Sequence, residues 1–188
     1  MSKESRQPEV LTQTECQALA EMPNPRYPTG LRDQCMIRLM LNTGLKVSEC
    51  LQLRVSDIDW SSGQLNVRGR GKKARTLWIN DKMLSLLGQW LERRPVDCPL
   101  LFTTLAGNPI SQQAFRAMIK RRGRKAGIAK DVHPHMLRHS FAMQMYRRTQ
   151  DLRGVQKVLG HASMASTLIY TPSADEDIEL TMKDLNLG

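Results

Sequence analysis

The chain has 188 residues, of which 40% are hydrophobic, enough for one domain with a sizeable core. Its 28 lysine and arginine residues against 18 acidic residues give a formal net charge of +10, which favours a polyanionic partner. No apolar run approaches the roughly 20 residues that span a bilayer, and the polar start MSKESRQPEV does not match a secretory signal. We therefore expect a soluble cytoplasmic protein without membrane association.

Capping signals locate the first two helices. Thr12 and Glu15 have the spacing of a capping box, so a first helix is expected over residues 13–21. After a proline-rich loop, a second helix is expected over about residues 31–42. Gly44 is well placed to end it in a left-handed conformation.

A hairpin is predicted in the middle of the chain. A short helix at 48–53 precedes two segments of apolar alternation, 64–68 and 74–79. Between them lies the glycine-punctuated basic sequence GRGKK at 69–73, which is typical of a charged hairpin tip. Such a charge usually serves solubility and becomes functional only if the tip reaches a phosphate.

The remainder of the chain carries helix signals, so the predicted fold class is mainly α with a small antiparallel β-sheet. The signals comprise N-terminal caps, a proline at a helix start and glycine at a helix end. Two of the predicted helices begin after Asn80 and after Ser111. A third runs from Pro134 to about Arg147, and a fourth runs from Asp151 to Leu159 and is ended by Gly160. The last runs from Ser163 to Tyr170.

The spacing of the cysteines indicates their chemical state. The four cysteines are widely spaced without a Cys-x-x-Cys pair, so they are predicted to be reduced, packed thiols.

Basic residues crowd one predicted helix, and the tail is acidic. This contrast favours a nucleic-acid face and a separate docking segment, with a solvated helix face as the alternative. The basic residues are Arg116, Lys120, Arg121, Arg122, Arg124 and Lys125.

The sequence HPHMLRH at 133–139 carries candidate phosphate ligands. His135 and Arg138 are three positions apart and share a face of the predicted helix. A guanidinium can bind two phosphate oxygens while an imidazole donates a further hydrogen bond, which suits a pentavalent phosphorane. The alternative is a metal site at His133 and His135. No metal is predicted, because histidines two apart rarely share a metal on a helix and no carboxylate or thiol lies beside them.

A second candidate unit lies nearer the C-terminus. Leu-Gly-His at 159–161 is followed nine residues later by Tyr170. A short helix between them can bring an imidazole and a phenol to one place. Because a phenol has a pKa of about 10, its attack on phosphorus needs neighbouring cations or a base. The alternative is a tyrosine that simply fills core or surface.

Four motifs in this order resemble the tyrosine recombinase (phage-type integrase) family. They are TGLKVSE at 43–49, ordinarily TGLRxSE; GRGKKAR at 69–75, ordinarily GKGxKxR; HMLRH at 135–139; and LGH at 159–161 followed by Tyr170. The resemblance covers about residues 11–172 and implies the family's DNA breaking-rejoining fold. It implies a catalytic domain at 1–172 and a tail at 173–188, without the separate N-terminal domain of typical members. In size the chain resembles the short recombinases that invert fimbrial switch segments, or an excised catalytic fragment.

The resemblance implies roles for the matched residues. Tyr170 matches the nucleophile, and Arg138 matches a phosphate-binding arginine. His135 and His161 match the paired ligands for phosphate and proton transfer. The supporting residues are Glu49, which would orient the first basic residue, and His139, Lys72 and Lys73.

Two positions depart from the family pattern. Lys46 stands where the family has its first arginine, which keeps the charge but loses the planar fork. Arg70 stands where the family has the lysine that protonates the leaving 5′-oxygen, and a guanidinium is a poor proton donor. Lys72 or Lys73, at the same tip, could supply that proton.

The function implied is a site-specific recombinase of mobile DNA that cuts and rejoins strands through a 3′-phosphotyrosyl bond, without cofactor or small-molecule substrate. The implied partners are double-stranded DNA of the nucleoid and a homotetramer on two DNA sites. The basic helix and Arg75 would contact DNA, and the apolar stripe of the tail would dock on a neighbouring protomer or pack on its own domain. The alternatives are a catalytically weak DNA-binding regulator and a topoisomerase IB-like relaxing enzyme.

Overall fold

The computed structural model describes residues 9–68, 74–161 and 167. Within these residues the chain is mainly helical with one two-stranded antiparallel sheet, which confirms the predicted fold class. In chain order the elements are α1 (Gln13–Glu21), α2 (Pro28–Thr43), α3 (Val47–Gln52), a 3₁₀-helix (Val55–Asp57), β1 (Gln64–Arg68), β2 (Ala74–Trp78), α4 (Asp81–Arg93), α5 (Gln112–Lys125), α6 (Pro134–Thr149) and α7 (Leu152–Leu159).

The Thr12 capping box begins α1 and Gly44 ends α2, as predicted. The hydroxyl of Thr12 accepts from the Glu15 backbone N–H at 3.1 Å, and the Glu15 carboxylate accepts from the Thr12 N–H at 2.8 Å. Helix α2 begins at Pro28, three residues earlier than expected, because this proline occupies the first turn, where its missing N–H costs nothing. The helix ends at Gly44, whose φ of 64° is left-handed.

The hairpin pairs β1 with β2 from Gln64 opposite Trp78 to Arg68 opposite Ala74. Leu65, Val67 and Leu77 form its buried face. Residues 69–73, the predicted tip, lie outside the described residues. The sequence did not predict the 3₁₀-helix at Val55–Asp57, because three residues are too few to show a periodic pattern.

Helix α2 lies at the centre of the core and contacts α1, α3, α4 and α6. Trp90 of α4 is fully buried and donates its indole N–H to the Leu101 carbonyl at 2.8 Å. Three of the four cysteines (Cys16, Cys35 and Cys50) are buried free thiols, as their spacing predicted. This packing fixes α6 against α2, and α6 carries the HMLRH motif.

Two predicted segments cannot be compared with the structure. The last predicted helix, 163–170, lies outside the described residues except for buried Thr167, and so does the tail at 173–188. Across the part of the chain that is described, no helix combines the length and the apolar character needed to cross a bilayer.

Candidate active site

Arg138 of α6 lies at the junction of three helices. Its side chain is 4% exposed. Its Nη1 donates to the Gly44 carbonyl at the end of α2, and its Nη2 donates to the Leu159 carbonyl at the end of α7, both at 2.7 Å. Its Nη1 also lies 4.0 Å from a carboxylate oxygen of Glu49. The guanidinium therefore fixes two helix ends while placing a positive charge between them.

Glu49 lies in the first turn of α3 and pairs with Arg75 of β2. Nη1 and Nη2 of Arg75 donate to the two carboxylate oxygens at 2.8 and 2.9 Å, a bidentate geometry. The backbone N–H of Lys46 donates to the same carboxylate at 2.8 Å. Burial alone would raise the pKa of Glu49, but the hydrogen bonds from Arg75 and Lys46 and the charges of Arg75 and Arg138 lower it below 4.5.

Arg75 also contacts the end of α7. Its Nε donates to the Val158 carbonyl at 2.7 Å. The next glycine, Gly160, ends α7 with a φ of 66°, and a Cβ there would lie 3.2 Å from Nη1 of Arg75. The hairpin, α3 and α7 are thus joined through one guanidinium.

His161 follows directly after this helix end. Its Nδ1 lies 2.9 Å from the Thr167 hydroxyl, and its backbone N–H donates to the Gln156 carbonyl at 3.1 Å. Burial, followed by the positive charges of Arg138, Lys46 and Arg75, lowers the pKa of His161 from 6.5 to about 4. The imidazole is therefore neutral at pH 7, because burial and the three nearby cations all disfavour its protonated form.

Two more imidazoles of α6 belong to the same cluster. The rings of His135 and His139 are 6.3 Å apart between centroids. Burial lowers the pKa of His139 to about 4, with the charges of His135, Arg138, His133 and His161 adding to the effect. The pKa of His135 is lowered by burial and by His133, Arg138, Arg116 and Lys46. A phosphate placed here would reverse this shift, since its negative charge favours protonated imidazoles.

Lys46 occupies the N-cap position of α3 with an exposed side chain. After larger effects that include burial and the charge of Arg138, the positive charge of Lys46 also lowers the pKa of His135 and of His161. Glu49 is predicted to orient the first basic residue; its carboxylate accepts from the Lys46 backbone N–H and from the Arg75 side chain. Four predicted site residues lie outside the described residues, namely Tyr170, Arg70, Lys72 and Lys73.

The basic residues of α5 fall into two groups, those that form ion pairs within the protein and those with exposed side chains. Lys120 pairs with Asp131 at 2.8 Å, and Arg122 pairs with the buried Asp33 at 2.7 Å. Arg116 faces the cluster closely enough to lower the pKa of His135, after larger effects of burial, His133 and Arg138. The side chains available to a polyanion are Arg116, Arg121, Arg124 and Lys125.

Sequence reasoning missed several contacts that build the site. Arg138 donates to the carbonyls of Gly44 and Leu159, and Arg75 donates to the carbonyl of Val158. Because every residue has a backbone carbonyl, the sequence does not indicate which ones accept these bonds. Gly44 and Gly160 gave a partial signal of these contacts, because each ends a helix and lies within a family motif. Among residues 9–68, 74–161 and 167, no group of three or more His, Cys, Asp or Glu side chains is placed to hold a metal ion.

A model of the phage integrase family matches residues 9–177, and the chain belongs to this family. The tyrosine recombinase XerC of Xanthomonas axonopodis pv. citri (strain 306) is 40% identical over 165 residues, which cover 87% of this chain and 54% of that protein. The crystal structure of XerA recombinase has 33% identity and a TM-score of 0.82, over 94% of this chain and 64% of that chain. XerH recombinase in a post-cleavage complex with its palindromic difH substrate has 29% identity and a TM-score of 0.82, over 95% of this chain and 54% of that chain.

The resemblance inferred from four motifs is thereby confirmed at the level of the family. The chain spans about half the length of the curated relatives it matches. The similarity therefore concerns the region that carries the cluster of Arg138, His135, His139 and His161.

Proposed function

We propose that this chain is the catalytic domain of a site-specific tyrosine recombinase that cleaves and rejoins double-stranded DNA. The observation that supports it most is the cluster formed by Arg138, Lys46 and the imidazoles of His135, His139 and His161. Among the described residues, these cations and neutral imidazoles outnumber the neighbouring carboxylates, and such a cluster suits an anion. The similarity to XerH, solved with its DNA substrate, supports DNA as that anion.

The reaction exchanges one phosphodiester for another. The phenol oxygen of Tyr170 attacks the scissile phosphorus, the bond from phosphorus to the 5′-oxygen breaks, and a 3′-phosphotyrosyl bond forms. The phenol gives its proton to a base, for which the neutral imidazoles of His135 and His161 are the candidates, and the leaving 5′-oxygen gains a proton from a donor such as Lys72 or Lys73. A 5′-hydroxyl then attacks the phosphotyrosine and reverses each of these changes, so neither metal nor nucleotide is required.

The described residues supply the stabilisation that this step needs. Negative charge builds on the non-bridging oxygens in the transition state, and preorganised cations and donors lower its energy. Arg138 is held rigidly by two carbonyls, and His161 is held by Thr167. Both groups therefore need little reorganisation when the phosphorane forms.

The partners follow from strand exchange. Two duplexes and four protomers are needed, so we propose a homotetramer assembled on two DNA sites of the nucleoid, in the cytoplasm. The acidic tail at 173–188 would pack against a neighbouring protomer. Deletion of 173–188 is expected to weaken assembly on DNA in gel-shift assays, and unchanged assembly would contradict this role.

The test is covalent capture of DNA. A duplex that the protein selects from a random pool is rebuilt with a nick beside the candidate scissile phosphate, so that the cut fragment diffuses away. Wild-type protein is expected to accumulate a detergent-resistant adduct, and so is Tyr146→Phe, the control that removes a tyrosine from a packed cluster. Tyr170→Phe is expected to form none. An adduct yield for wild-type protein no greater than for Tyr170→Phe would defeat the proposal.

A second candidate is a DNA-binding regulator on the same fold. It is favoured by the two departures from the family motifs, Lys46 and Arg70, which remove one bidentate phosphate ligand and one proton donor. It predicts selective, salt-sensitive binding to the selected duplex with no covalent adduct at any time point.

A further inference from the structure

Arg75 lies in β2 and uses three of its nitrogens within the protein. Nη1 and Nη2 bond Glu49, and Nε bonds the Val158 carbonyl at 2.7 Å. Its side chain is 13% exposed. A guanidinium that binds a DNA phosphate directs its fork outward, whereas this fork is directed at a half-buried carboxylate.

Arg75 and Arg138 each bind one carbonyl in the last turn of α7. The final carbonyls of a helix lack partners within the helix and need donors from elsewhere. Arg75 donates to Val158, and Arg138 donates to Leu159. Gly160 comes next, with its backbone against the Arg75 guanidinium, and His161 follows. Two arginines from different elements therefore fix the backbone that leads into His161.

We infer that Arg75 is a positioning residue that fixes the end of α7, and with it His161, against Glu49 of α3. This inference rests on the proposed function for its catalytic consequence. Lysine cannot replace this arginine, because one ammonium on a flexible stem does not reproduce a planar fork plus a third bond from Nε. A glycine at 160 lets the guanidinium approach the backbone closely.

The first test measures backbone order without DNA. Amide hydrogen exchange at Gly160 and His161, followed by NMR at pH 7, is expected to be at least tenfold faster in Arg75→Lys than in the wild type. The matched control is Arg94→Lys, since Arg94 is also buried and bonds one carbonyl (Leu100, 2.8 Å) and one carboxylate (Asp97, 2.7 Å). Arg94→Lys is expected to leave exchange at Gly160 and His161 unchanged. Equal exchange in Arg75→Lys and the wild type overturns the inference.

The second test separates positioning from DNA contact. On the nicked selected duplex, Arg75→Lys and Arg75→Ala are both expected to bind with an unchanged slope of log K against log salt. The adduct formed per bound complex is expected to fall by tenfold or more, while Arg94→Lys behaves as wild type. A phosphate contact predicts the opposite for Arg75→Ala: a salt slope reduced by about 1 with the adduct per bound complex unchanged. That outcome overturns the inference.

The two proposals fail in different ways. If the wild type forms no adduct on the selected duplex, the proposed function fails, and the amide exchange still decides whether Arg75 holds the end of α7. If the wild type forms adduct and Arg75→Lys forms as much per bound complex, the proposed function survives and the positioning role is wrong.

Discussion

Arg138 donates a hydrogen bond of 2.7 Å to the carbonyl of Gly44, a residue 94 positions earlier in the chain. Gly44 ends α2 with a left-handed φ of 64°, and this turn points its carbonyl at the guanidinium. The geometry of a turn near the start of TGLKVSE therefore determines where the arginine of HMLRH stands. The two motifs are parts of one structural unit.

Gly44→Ala is expected to destabilise the fold by about 2–5 kcal/mol, because it combines a left-handed backbone with crowding. A Cβ at this position would lie 2.4 Å from Cδ1 of Phe141. The control is Gly127→Ala, where φ is 73° and no atom of the described residues lies within 4 Å of the added Cβ, so a loss of about 1–2 kcal/mol is expected. Urea unfolding measures both, and equal losses would show that the contact with Phe141 has no effect.

Arg121 and Arg122 are neighbours on α5 with different expected roles. Arg122→Ala is expected to cost about 1–3 kcal/mol, because Asp33, which is 1% exposed, then keeps Arg32 as its one ion-pair partner among the described residues. Arg121 is exposed, so Arg121→Ala is expected to change stability by less than about 0.5 kcal/mol while reducing the salt slope of DNA binding by about 1. Urea unfolding and salt titrations distinguish the two, and a changed salt slope for Arg122→Ala alone would contradict this division of the helix.

The histidine pKa values predict a loss of stability in mild acid. Burial lowers the pKa of His139 and of His161 to about 4 in the folded state, with nearby positive charges adding to it, against 6.5 in the unfolded chain. The unfolded state therefore binds more protons below pH 6.5, so the stabilisation is complete above that pH and is lost progressively as the pH falls toward 4. Titration of Glu49 begins lower, because its folded pKa lies below 4.5 despite burial, owing to Arg75 and Lys46.

The measurement is the urea midpoint at several pH values between 7 and 4.5. The wild type is expected to lose stability across this range, and His139→Asn with His161→Asn is expected to lose less. An identical pH dependence in the wild type and the double variant would show that these imidazoles are not the groups responsible.

Lys46→Arg is expected to accelerate adduct formation on the nicked duplex by up to about 10²-fold, since a planar fork replaces a point charge at the transition state. Stability is expected to stay the same, because the side chain at this N-cap position is exposed. Single-turnover adduct kinetics provide the test. Unchanged or slower kinetics would mean that the site is built around lysine.

The fold was largely predictable because its signals are local. The Thr12 capping box, Gly44 and the N-cap residues Asn80 and Ser111 each fix a helix end through contacts within a few residues. The start of α2 was placed three residues late because the proline at position 28 indicates a loop as readily as a first helical turn.

The sequence predicted candidate residues for the site but not the hydrogen bonds that hold them in place. Motif spacing predicted Arg138, His135 and His161 as site residues, but it did not show that Arg138 bonds two backbone carbonyls or that Arg75 bonds Glu49. These contacts join positions far apart in the chain. In several of them the acceptor is a backbone carbonyl, a group that every residue carries, so the sequence does not mark it. The sequence alone favours a DNA contact for Arg75, because this basic residue lies next to a basic hairpin tip.

The most direct test of the account is the identity of the residue that carries the DNA. The chain has three tyrosines, at positions 27, 146 and 170. After capture of a nicked duplex labelled at the scissile phosphate, protease digestion and mass spectrometry are expected to place the nucleotide on the peptide containing Tyr170. Attachment at Tyr27 or Tyr146, at a residue other than tyrosine, or through a 5′-phosphate would contradict the mechanism proposed here.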